Sequence, residues 1–93
     1  MEQWPFSVAP ETPVHAHLRL FTEDDWVAYA AHEEDGSWRF HVPDVEWLEE
    51  DMRVVGLRRL LAMDESLFLL ADLPPGWHAW RGAPGEAWQR APL

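Results

Sequence analysis

The side chains with which this chain could do chemistry are five histidines, seven arginines and seventeen carboxylates, in 93 residues with no cysteine and no lysine. Without cysteine there is no thiol nucleophile, no disulfide framework and no Cys-ligated metal. Two histidines, His15 and His17, lie two apart in an alternating run, so on a strand their side chains leave the same face about 7 Å apart. His41, from a neighbouring strand, would complete a three-ligand metal site with them. Arg19 and Arg39 fall among these positions and would repel a cation. A pH-responsive or anion-binding patch is therefore an equal reading of the same residues. The plain alternative is that polar residues simply occupy the outward positions of a half-buried sheet.

The carboxylates cluster in two runs, Glu33-Glu34-Asp35 and Glu49-Glu50-Asp51. In such runs water solvates each group, whereas glycoside hydrolysis needs two carboxyls facing each other across a cleft. Ser7, Ser37 and Ser66 sit in turn or cap contexts, and no phosphate loop, nucleophile elbow or zinc-protease motif is present. A non-enzymatic protein without a cofactor is the expectation, with a metal-binding or small hydrolytic protein using the histidine face as the alternative. The net charge of −10 disfavours a nucleic-acid partner, because phosphate neutralisation requires clustered cations. It favours a basic protein, steered by Glu33, Glu34, Asp35, Glu49, Glu50 and Asp51. Seven tryptophans exceed what a small core needs. Trp38 and Trp47 are assigned to the core, and Trp77, Trp80 and Trp88 to a partner surface, since tryptophan is enriched among interface anchors. The competing arrangement hides those three by docking the tail on the helices.

The elements that would position these groups follow from periodicity. Pro5, Pro10 and Pro13 make residues 1–13 an extended, loosely tied leader, although Trp4 and Phe6 could pack into a groove. Val14, Ala16, Leu18 and Leu20 alternate with His15, His17 and Arg19, as in a half-buried strand. A second run places Val27, Tyr29 and Ala31 on one face, and a third Trp38, Phe40 and Val42. Asp35-Gly36 between them predicts a two-residue hairpin with Tyr29 opposite Val42 and Ala31 opposite Phe40. His15, His17, Arg19, His32, Arg39 and His41 would then share the outer face. Val45, Leu48 and Met52 predict a short helix behind Asp44, then a brief strand at 53–56 and a helical stretch from Leu57. Asp64 reads as a fresh N-cap, and Leu73-Pro74-Pro75-Gly76 as a stop. Folding the tail at Gly82-Ala83-Pro84-Gly85 pairs Arg81 with Glu86, Ala79 with Trp88 and Trp77 with Arg90, leaving His78 and Trp80 on the other face.

Strands, then helices, then strands predict one α+β domain over 14–93, with an antiparallel sheet and short helices packed on one face. No apolar run reaches bilayer length and the first residues lack a signal-peptide pattern, so no membrane partner and a cytoplasmic location are expected. The segments 57–67, 71–81 and 88–90, with the upstream Asp35-Gly36-Ser37-Trp38-Arg39-Phe40, resemble small bacterial proteins of unknown function similar to the immunity protein thirty-three family. The likeness spans about residues 26–90. It implies a compact α+β domain without catalytic residues and a role in neutralising a toxin, and it carries over no functional residue.

Overall fold

The computed structural model describes residues 4–46 and 48–93. It is an α+β fold built on one six-stranded sheet, β1 (Pro13–His17), β2 (Tyr29–His32), β3 (Trp38–His41), β4 (Met52–Gly56), β5 (Trp77–Trp80) and β6 (Gln89–Pro92), in the order β4-β1-β3-β2-β5-β6. Helices α1 (Arg19–Thr22) and α2 (Leu57–Met63) and the 3-10 segments Glu49–Asp51 and Glu65–Leu70 complete it. The sheet is mixed, which corrects the antiparallel expectation. β1 and β3 run parallel, with His15 beside Arg39, because the chain turns through α1 and forms β2 before returning as β3.

One sheet face forms the core. Val14 and Ala16, Trp38 and Phe40, Ala30 and Ala79 point into it and meet Leu57, Leu60, Leu61, Leu67 and Leu70 from the helical layer. Leu20 belongs to that core from α1, not from a strand. The strand stops at His17, and Arg19 turns back to pair with Glu23 one helical turn on. Residues 4–12 are tied down rather than loose. Phe6 is buried edge-on against Trp38, Trp4 meets Phe68, and the backbone carbonyls of Pro10 and Thr12 accept from Arg58 and Leu57.

The β2–β3 hairpin departs from the expected register by one residue. The loop is three residues long, Glu34-Asp35-Gly36, with Glu33 N–H donating to Ser37 and Gly36 at φ +92°. Tyr29 therefore lies opposite His41, Ala30 opposite Phe40 and His32 opposite Trp38. A one-residue slip exchanges the faces of a strand. Ala30 and His32 turn to the core, while Tyr29 and Ala31 turn outward. His32 accordingly stacks on Trp38 at 4.1 Å, and its Nδ1 lies 2.7 Å from the Leu73 carbonyl.

No helix forms behind Asp44. Residues 43–46 and 48 are turn and irregular chain ahead of the 3-10 turn Glu49–Asp51, and Met52 starts β4. Asp44 has φ 59°, the left-handed region, which a helix N-cap does not adopt. Trp47, assigned to the core from sequence, lies outside the described residues. The Asp64 cap does form, with its carboxylate accepting from Ser66 N–H, although the segment it starts is 3-10. In the tail, Ala79 faces Arg90 and Trp77 faces Pro92. That register is two residues from the expected one, and a two-residue shift preserves which side chains share a face.

Candidate functional site

The sheet face away from the core carries most of the groups singled out from sequence. β1 contributes His15 and His17, β3 Arg39 and His41, β2 Tyr29, and β5 His78 and Trp80. Four of the five histidines share this face, but His78 takes the place expected for His32. The reason is the hairpin slip, which turned His32 inward and brought β5 against β2 with Tyr29 opposite Trp80. The aromatic groups form a continuous band. Tyr29 lies 5.8 Å from His41 and 5.4 Å from His78, and His78 lies 5.1 Å from Trp80. The Tyr29 hydroxyl and His78 Nδ1 are hydrogen-bonded at 2.9 Å. Burial, and secondarily Glu33, raise the Tyr29 pKa.

His17 and His41 are nearly inaccessible to solvent. His17 Nδ1 accepts the Arg19 N–H, so its proton resides on Nε2, a buried atom with no hydrogen-bond partner among the described residues. His41 is pushed down to about 4, first by burial and then by the neighbouring Arg39 and His17 charges. The His41 ring is accordingly neutral at physiological pH. His17 and His41 do not make the metal triad expected with His15. Among the described residues no group of three or more His, Asp or Glu side chains is arranged to hold a metal ion. The parallel register sets Arg39 beside His15, adding a cation to the same face.

Arg39 is also where the two acidic runs meet. Glu33 approaches it at 3.8 Å from the β2–β3 loop, and Glu49 hydrogen-bonds it from the 3-10 turn. The Arg39 hydrogen bond and charge lower the Glu49 pKa. The remaining members have separate surroundings. Asp35 accepts from Ser37 within the hairpin loop, Glu34 is exposed beside Gly76, and Glu50 and Asp51 flank the start of β4. Val45, Glu46, Leu48 and Asp51 border a shallow depression with His17 and Arg19. Val45, Glu46, Leu48 and Asp51 thus lie at the end of the histidine face, with Glu46 and Asp51 as its acidic margin.

The three tryptophans expected to act together are divided. Trp77 and Trp88 pack against the core, and Trp80 stands on the opposite face. Trp88 covers the Arg81 guanidinium at 4.3 Å, whereas the expected tail register set Trp77 opposite Arg90. Arg81 itself is a group the sequence reading underrated. It is buried, donating from Nε to the Val27 carbonyl at 3.0 Å, from Nη1 to Ser66 Oγ at 2.7 Å and from Nη2 to Asp64 Oδ2 at 2.6 Å. Burial would raise the Asp64 pKa, but Ser66 and Arg81 together hold it below the usual carboxylate value. Its signal was the Asp64-x-Ser66 cap, which leaves one carboxylate oxygen for a distant cation.

None of the described helices is long and apolar enough to cross a membrane. Comparison with protein-family models, curated proteins and solved structures yields no match. The likeness to small bacterial immunity-type proteins therefore stands on the sequence motifs alone.

Proposed function

We propose that this protein is a non-enzymatic binding module whose acidic surface receives a basic protein. The observation that carries this reading is the internal engagement of the cations. Arg19, Arg39, Arg58, Arg81 and Arg90 each pair with a carboxylate of this chain. Arg53 donates to the Glu50 and Met52 carbonyls, and Arg59 lies over the Phe21 ring at 4.5 Å. Each of the seven arginines thus has a contact within the chain, five of them with a carboxylate, against seventeen carboxylates and a net charge of −10. Asp44, Glu46, Glu50 and Asp51 make no ion pair among the described residues, and exposed Leu48 sits among them. An apolar contact rimmed by like charge supports a partner of opposite charge. Neutralisation of a basic toxin in a bacterial cell is the role this reading shares with the family likeness.

Titration with an oligo-arginine peptide, using an oligo-glutamate peptide as control, tests the reading. Binding of the arginine peptide should weaken by about tenfold or more when Asp44, Glu46, Glu50 and Asp51 are changed together to Asn and Gln, since each exposed pair contributes up to about 1 kcal/mol. Equal binding of both peptides, or no effect of the four changes, would sink it. Capture from a native lysate at low salt, with release at high salt, would then identify the partner.

A further inference from the structure

Beside the acidic margin, on the core side, α1, the 24–27 link, α2 and the 82–85 turn enclose a cleft of about 720 Å³. Its lining has two distinct levels. Leu20, Val27 and Leu60, otherwise buried core residues, surface at the bottom, with Trp26 and half-exposed Met63 in the lining above them. Asp24, Asp25, Asp64 and Glu65 supply four carboxylates, against Arg81 as the one cation in the lining. The Arg81 charge is answered by Asp64, and its side chain is 2% exposed beneath Trp88, so it offers little to an anion. Asp25 is paired with Arg19 at 3.3 Å, whereas Asp24 and Glu65 are exposed and in no ion pair among the described residues.

We propose that this cleft is an anchor pocket for a guanidinium or ammonium group on an apolar stem, the arginine or lysine side chain of a basic partner. The inference rests on the reading of the protein as an acidic binding module and gives that partner its point of entry. Long basic side chains bury their methylene stem on apolar surface while the charged head stays at a polar rim, which is the division this lining presents. Trp26, whose ring meets the Arg81 guanidinium at 5.8 Å, offers its remaining ring surface to the stem and head group. The cleft neighbours the acidic margin through Arg19, which pairs with Asp25 of the cleft and borders the depression containing Glu46 and Asp51.

The probe is the peptide acetyl-Leu-Arg-Leu-amide, with its citrulline counterpart as a neutral isostere, followed by backbone amide shifts in the full chain. The arginine peptide should shift the amides of Trp26, Met63 and Gly85 and bind about tenfold more tightly than the citrulline peptide, the scale set by losing a charge opposite two exposed carboxylates worth up to about 1 kcal/mol each. Trp26→Leu should weaken it about fivefold, and Asp24→Asn and Glu65→Gln about threefold each. Asn suits position 24, where φ is 50°. Equal binding of the two peptides overturns the pocket, as does an unchanged affinity in all three variants. Shifts confined to 44–51 overturn the pocket but leave the basic-partner reading in place. If neither this peptide nor oligo-arginine binds, both fall.

Discussion

Arg81 links three pieces of chain that are distant in sequence, through Val27, Asp64 and Ser66, and it does so while buried. Removing one member of a buried, hydrogen-bonded ion pair leaves the other uncompensated, at a cost of about 3 kcal/mol or more. Arg81→Met should therefore lower unfolding stability by that order in a denaturant titration. Arg81→Met combined with Asp64→Asn, which keeps an oxygen to cap Ser66, should cost less than the single change, since no orphan charge remains. Equal losses would mean the network is not coupled. His41 supplies a pH dependence of opposite chemical type. Its pKa is depressed to about 4 from 6.5, so the native state disfavours the proton that the unfolded chain accepts. The stability due to the neutral ring is full above the unfolded value and is lost as pH falls from about 6.5 towards 4, by on the order of 2 kcal/mol. Carboxylates with lowered pKa, such as Asp64, lose their contribution only at still lower pH. A His41→Gln variant should flatten the decline between pH 6.5 and 4 in thermal melts. An unchanged slope would assign it to other groups.

At the scale of elements, the β2–β3 loop governs what the open face contains. Gly36 sits at φ +92° with open space where a Cβ would project, so Gly36→Ala should cost about 1 kcal/mol through backbone conformation alone. A melting temperature equal to that of the parent would show that the loop relaxes without cost. The same loop explains how much was readable in advance. Asp35-Gly36 marked the hairpin correctly, but two- and three-residue loops share that dipeptide, and the alanines of β2 are too small to announce which side is buried. One added loop residue sent His32 into the core and Tyr29 outward. The tail hairpin shows the converse, because its two-residue error left the faces intact and His78 and Trp80 together as expected. α1 was hidden because its Leu20 also fits the alternation of β1. The parallel β1–β3 contact is long-range and left no local mark. The carboxylate partners of Arg39 belong to loops 33–37 and 49–51, whose convergence depends on that same contact.

For the whole molecule, the account depends on a charge distribution rather than on a catalytic group. Five of the seven arginines are paired with carboxylates of the chain, so the net charge of −10 projects a negative field into solvent, which under the proposed function would attract a basic partner before contact. Such attraction is screened within about 8 to 10 Å at moderate ionic strength. The most direct measurement is the affinity for oligo-arginine at increasing salt, made in parallel on the parent protein and on the protein neutralised at Asp44, Glu46, Glu50 and Asp51. The account predicts a steep loss of affinity with salt in the parent and a much shallower one in the variant. A parent affinity indifferent to salt, or two identical slopes, would contradict it.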